Sequence, residues 1–196
     1  MQYPDSGDVE GAWGLLEEQN GDKDTALKHY RTAVALHPAG WSDYWNYARV
    51  LDGAGGEIEP RIQALSDALE RRPELMDARL LLAQDLCSAR RFADALARLQ
   101  AAPKVEPARA FPMSVGLALA SGGLGDRDGA RRYAEQAKAI AHTPEEKASA
   151  DKLLAQIEQN LPGATQERPP SDDPGRPILR RNPPKPPQKK GGGQVD

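Results

Sequence analysis

The chain is poor in the residue types that most catalytic and metal-binding proteins depend on. Cys87 is its only cysteine among 196 residues, so no intramolecular disulfide can form. In a helical register a lone cysteine is expected to serve as a small buried hydrophobe. The three histidines are His29, His37 and His142. A zinc site needs three or four convergent ligands, and the sequence offers neither a second cysteine nor an H-x-x-x-H pair. The histidines are therefore expected on polar surface, with His37 near a helix C-terminus, where a partly charged ring is favoured. No stretch approaches the ~18 consecutive apolar residues of a membrane-spanning helix. The opening MQYPDSGDVEGAW lacks the charged-then-apolar order of a signal peptide. Cytoplasmic location is the default expectation, and a fragment of a longer chain is compatible with the same opening.

Signatures of catalysis are missing too. No nucleophile elbow, P-loop or dinucleotide-binding glycine pattern occurs. Gly53-Ala54-Gly55-Gly56 and Gly122-Gly123-Leu124-Gly125 fall between helical stretches, not after strands, and read as turns. Asp22-Lys23-Asp24 is not followed by the glycine and glutamate of a calcium loop. The expectation is no enzyme activity, no cofactor and no metal. Nor does any run alternate apolar and polar residues long enough to suggest a strand.

Charge is unevenly spread. From Pro162 onward, 35 residues hold nine prolines, seven Lys/Arg and four Asp/Glu, near +3. Residues 1–161 carry 19 basic and 25 acidic groups, near −6. An acidic body argues against nucleic acid as a partner, which normally meets clustered Lys/Arg. The tail, 161–196, is expected to be disordered. Within it Pro184, Pro187 and Lys189 satisfy a P-x-x-P-x-K arrangement that a proline-binding groove could read as a polyproline II helix.

What the chain does have is a period. Pro38, Pro73 and Pro107 are 35 and 34 residues apart, and Ala33, Ala68 and Ala102 each lie five residues before one of them. Gly14, Ala48, Ala83 and Ala118 recur as small residues earlier in four units, and Ala26, Ala95 and Ala130 mark a second helix in three of them. Within units the spacing is helical: Trp41, Tyr44, Trp45 and Ala48 follow i, i+3, i+4, i+7. Small residues let helices approach closely, and proline ends a helix because it cannot donate the next hydrogen bond.

The period, the helix-turn-helix layout and these small–Ala–aromatic–Ala–Pro marks resemble the tetratricopeptide-repeat family. The resemblance implies an all-α, right-handed superhelical solenoid over residues 7–160. Its four units are expected at about 7–40, 41–75, 76–109 and 110–142. Departures are visible in the second unit, with Arg61 or Ile62 where the alanine belongs, and in the third, where Pro103 is expected to shorten or kink a helix. The fourth begins Phe111-Pro112, holds Gly116, Gly122 and Gly123 and is expected to be the least well packed. Thr143-Pro144-Glu145-Glu146 reads as a capping box opening a capping helix over 143–160. Such a helix covers the last apolar face of a solenoid.

The same resemblance implies a non-catalytic scaffold that binds a peptide or helix of a partner protein in a concave groove lined by the first helix of each unit. Transferred residue by residue, that face is Trp45, Asn46 and Arg49 in unit two, Leu80, Leu81 and Gln84 in unit three, and Leu119 in unit four. This mixture suits apolar anchors with one carboxylate or backbone contact. Family members that clamp a chaperone's C-terminal carboxylate use lysines, asparagines and an arginine. The comparable positions here are mostly Gly11, Leu15, Leu80, Val115 and Gly116, which do not rebuild that clamp. The alternative reading is a structural or regulatory segment of a larger enzyme or of a secretion or envelope assembly. The Ala-, Arg- and Pro-rich composition fits a bacterial source. Partner identity, pathway and oligomeric state are not encoded in these marks.

Overall fold

One turn is built four times. In the computed structural model, which describes residues 6–37 and 40–159, the Asp22 N–H donates to the Glu17 carbonyl at 2.9 Å, Gly56 to Leu51 at 2.9 Å, Arg91 to Leu86 at 2.7 Å and Asp126 to Ser121 at 3.0 Å. Each bond spans five residues and closes the C-terminus of one helix, which requires the residue before the donor to be left-handed. Gly21, Gly55 and Gly125 take that conformation with φ of 86°, 65° and 80°. In the third turn the left-handed residue is Arg90, at φ 59°. Asp22 and Asp126 then cap the helix that follows, accepting from the Thr25 and Gly129 N–H groups at 3.0 Å.

These turns join helices into four antiparallel hairpins: α1 (Gly7–Gln19) with α2 (Lys23–Ala35), α3 (Trp41–Gly53) with α4 (Ile58–Arg71), α5 (Met76–Ser88) with α6 (Phe92–Gln100), and α7 (Pro107–Gly123) with α8 (Arg127–Ile140). A ninth helix, α9 (Pro144–Gln159), follows. There is no strand among the described residues. Each helix packs on the next, and α1 also touches α3, α5 touches α7, and α7 touches α9. Pro38 and the tail, 161–196, with Pro184, Pro187 and Lys189 lie outside the described residues.

The recurring small residues sit where helices cross. A Cβ on Gly14 would lie 2.7 Å from the Tyr30 ring, which is fully buried. One period on, the position of Tyr30 is held by Leu65, Leu99 and Ala134, and that of Gly14 by Ala48, Ala83 and Ala118. In unit one the bulkiest partner goes with the smallest residue and in units two and three leucine goes with alanine, which keeps those three crossings filled, whereas unit four pairs two alanines. The main core runs through Ala26, Tyr30, Ala48, Leu65, Leu82 and Leu99, and a second cluster of Ala118, Ala134 and Leu153 sits beneath α9.

One sequence expectation changes and two are sharpened. Pro107 does not end the third unit; it stands at the first position of α7, behind the extended Glu106, where its missing N–H costs nothing. The first helix of unit four therefore starts at 107, not at 110, and Pro112 lies inside it. Pro103 lies just past α6, which is short as expected: it ends at Gln100 after 9 residues, against 13 in α2 and 14 in α4 and α8. Arg61, not Ile62, stands at the alanine position of α4, one period from Ala26 and Ala95. It is buried and donates through Nε to Asp85 Oδ2 at 3.0 Å, pairs through Nη2 with Asp85 Oδ1, and reaches Asp52 Oδ1 at 2.8 Å. Unit four seats its helices through Ala118, Ala120, Ala130, Ala134 and Ala137, all buried. The Glu146 N–H donates to Thr143 Oγ1 at 3.1 Å, while the His142 and Thr143 N–H groups donate to Glu146 Oε2 at 2.7 and 3.3 Å. That is the reciprocal capping box.

Candidate functional site

Leu80, Leu81 and Gln84 of α5 and Leu119 of α7 line one groove of about 430 Å³. They share it because residues three and four apart fall on one helix face and α5 lies against α7. The groove is also lined by Phe111, Pro112 and Val115, and none of its lining residues is charged. Gln84 and Ser88 supply its polar side-chain groups, beside the thiol of Cys87. Gly116 forms part of the floor, and a Cβ there would come within 3.0 Å of Leu99. Cys87 is half-buried in this wall, not a plain core residue. Burial pushes its thiol above the usual range, which disfavours the reactive thiolate.

A second opening, of about 420 Å³, lies between α7 and α9. Its walls include Phe92, Leu119, Gly123, Leu153, Gln156 and Ile157. Gly123 is needed there because a Cβ would run into the Phe92 ring. Leu119 belongs to both openings and is 46% exposed.

The other three residues of the expected set do not join this groove. Arg49 of α3 donates through Nη2 to Glu18 Oε2 on α1 at 2.7 Å, and the Tyr30 hydroxyl donates to the same oxygen at 3.2 Å. The Arg49 hydrogen bond holds the Glu18 carboxyl below the usual range, and burial beside Glu18 drives the Tyr30 phenol up. Arg49 is thus tied into a bridge between units one and two. Trp45 is half-buried against the main core, and Asn46 is half-buried on the same helix. The structure therefore brings together the unit-three and unit-four residues and leaves those of unit two apart.

Sequence reasoning missed Phe111, Pro112 and Val115 because it took Phe111-Pro112 as the start of the unit. A helix extended back to Pro107 would have put Phe111, Val115 and Leu119 on one face at i, i+4, i+8. His29 is also more than polar surface: its Nδ1 lies 2.8 Å from Glu10 Oε2 and its ring stacks on Trp13 with centroids 6.4 Å apart. His37 is exposed, with φ 53° just past α2. Among the described residues, no group of three or more His, Cys, Asp or Glu side chains is placed to hold a metal ion, and no helix is long and apolar enough to cross a membrane.

Helical hairpins stacked at a 34–35-residue period define a helical-repeat solenoid. The fold is that of the tetratricopeptide-repeat proteins, as the sequence marks implied. MamA superposes with a TM-score of 0.58 at 20% identity, over 74% of this chain and 77% of that one. YrrB, described as a TPR protein with an unusual peptide-binding site, gives 0.60 at 16% identity over 71% of each chain. A tetratricopeptide-repeat protein from Parabacteroides merdae gives 0.60 at 16% identity, over 81% of this chain and 64% of that one. No protein-family model and no curated protein matches the sequence.

Proposed function

We propose that the chain is a non-catalytic protein-interaction scaffold that receives the apolar face of a peptide or helix in the groove between α5 and α7. The observation that carries this reading is the convergence of Leu80, Leu81, Gln84 and Leu119 on one open, uncharged groove. Such a site gains affinity by burying apolar anchors, at about 25 cal/mol per Å² removed from water. Gln84 supplies a single side-chain amide to orient a ligand backbone. A carboxylate-directed ligand is a poorer fit, because Arg49 is engaged by Glu18 on another helix and no cation lines the groove. The peptide-binding description of YrrB, a protein of the same fold, supports the general role.

The reading is tested by selecting peptides from a random library on the intact chain. Selected peptides are expected to bind at least tenfold more weakly to a Leu119→Asp variant with an unchanged melting temperature, since Leu119 is already half-exposed. Equal affinity for both proteins would remove the groove from consideration.

A further inference from the structure

The outer face of α1 is a second apolar surface, separate from the groove. Val9, Ala12, Trp13 and Leu16 follow i, i+3, i+4, i+7 and border a shallow depression of about 390 Å³ together with Asp8. Val9 is 53% exposed, Trp13 50% and Leu16 44%. Large apolar side chains side by side on one helix are an uncommon use of free surface.

The repeat shows what such a face is for. Stepping by 34, 35 and 35 residues, as from Gly14 to Ala48, Ala83 and Ala118, the counterparts of Val9, Trp13 and Leu16 are Asp43, Tyr47 and Val50 on α3 and Ala78, Leu82 and Asp85 on α5. All six are buried. They lie on helices that pack against the second helix of the preceding unit, and Asp85 meets Arg61 of α4 directly. The first unit carries the same face with no helix before it among the described residues.

Charge narrows what can fill that place. The residues of α1 include Asp8, Glu10, Glu17 and Glu18 and no Lys or Arg. Glu10 is held by His29 and Glu18 by Arg49, whereas among the described residues Asp8 and Glu17 belong to no ion pair. Asp43, packed beneath Gly11, has its carboxyl raised chiefly by burial and further by the charge of Asp8. A second copy laid on α1 would bring a helix with four carboxylates and no Lys or Arg against another of the same kind, like charge on like, which disfavours self-pairing. We propose that the α1 face docks an amphipathic helix of another protein whose apolar stripe is flanked by lysine or arginine. The helix takes the position that a preceding repeat would hold, with its cations beside Asp8 and Glu17.

The test uses the intact chain and two 18-residue amidated peptides. Each has Leu and Ala at i, i+3, i+4, i+7; in one the stripe is flanked by lysines, in the other by glutamates. By calorimetry the lysine peptide is expected to bind at least tenfold more tightly than the glutamate peptide and to weaken several-fold between 50 and 200 mM salt. Trp13→Ala and, independently, Val9→Ser are each expected to weaken it at least fivefold, with helicity and melting checked by circular dichroism. Leu119→Asp is expected to leave it unchanged, which keeps this result separable from that of the α5–α7 groove. Equal or absent binding of the two peptides, or indifference to both α1 variants, would overturn the proposal. So would a concentration-dependent dimer in sedimentation that Trp13→Ala dissolves, because a second copy would then be the occupant.

Discussion

Arg61 on α4 and Asp85 on α5 form a buried, two-point ion pair at positions where the repeat pattern places alanine and an apolar residue. Each is an exception to the pattern, and each answers the other across the junction of units two and three. Removing one partner leaves a charge in a site with almost no solvent, which typically costs about 3–5 kcal/mol. Arg61→Ala alone is therefore expected to lower stability by that order in urea unfolding. Arg61→Ala with Asp85→Leu is expected to recover most of it, because the pair returns to the residue types of the other units. A double variant as unstable as Arg61→Ala would contradict this account.

The third turn can be improved. Arg90 is left-handed at a place where the other three turns use glycine, and the left-handed conformation costs a non-glycine residue about 1–2 kcal/mol. Arg90→Gly is expected to hold or raise the melting temperature, despite the greater freedom it gives the unfolded chain. Gly21→Ala, the reverse exchange at the first turn, is expected to lower stability by roughly 1 kcal/mol. Parallel thermal melts of the two variants check the sign of both.

Gly14 and Tyr30 make a third, coupled case. The methyl of Gly14→Ala would meet the Tyr30 ring at 2.7 Å, and overpacking of this kind costs about 1–3 kcal/mol. Adding Tyr30→Leu makes unit one like unit two, with Ala48 and Leu65, and is expected to relieve most of the strain. A double-mutant cycle by urea unfolding should show a favourable coupling. Additive losses would mean that the clash is absorbed elsewhere.

Asp43 carries a prediction with pH. Its carboxyl is raised, first by burial and then by Asp8, so the folded state binds the proton more tightly than the unfolded chain does. Stability from this group is therefore full below the ordinary aspartate range and declines as pH rises through the raised value. Asp43→Asn removes the penalty of the buried charge. It is expected to be more stable than the parent at pH 7, with the advantage vanishing at pH values below the ordinary aspartate range. Unfolding curves of both proteins from pH 3 to 7 test the sign. Glu18 runs the other way: its carboxyl is held low by Arg49, so its contribution is present at neutral pH and is lost on acidification through the depressed value.

The repeat was legible because its marks are steric and local. Gly14, Ala48, Ala83 and Ala118 must be small wherever helices cross, and the turn glycines must be left-handed. Thr143 and Glu146 sit three residues apart on one strand of sequence, and their reciprocal bonds follow from that spacing. The groove was half legible. Leu80, Leu81 and Gln84 share a helix face that 3.6-residue periodicity fixes, and Leu119 recurs in register on the next first helix. The ion pair of Arg49 was not legible because its partner, Glu18, lies 31 positions away on another helix. Phe111 and Val115 were missed because a proline pair looked like a boundary, whereas Pro107 opens a helix and Pro112 is carried inside it. Arg61 and Asp85 left a fainter trace: two exceptions of opposite charge, one in each of two neighbouring units.

That trace has a consequence for how such a chain can change over generations. Repeat arrays grow and shrink by copying and deleting whole units, and a junction made only of alanine and leucine accepts any neighbour of similar shape. The junction between α4 and α5 accepts one. A duplication of unit three or a deletion of unit two would strand Asp85, and a deletion of unit three would strand Arg61, each opposite an apolar face. Units two and three are thus expected to be exchanged without loss of stability only as a single block, which leaves the array fewer tolerated crossover points than its regular turns suggest.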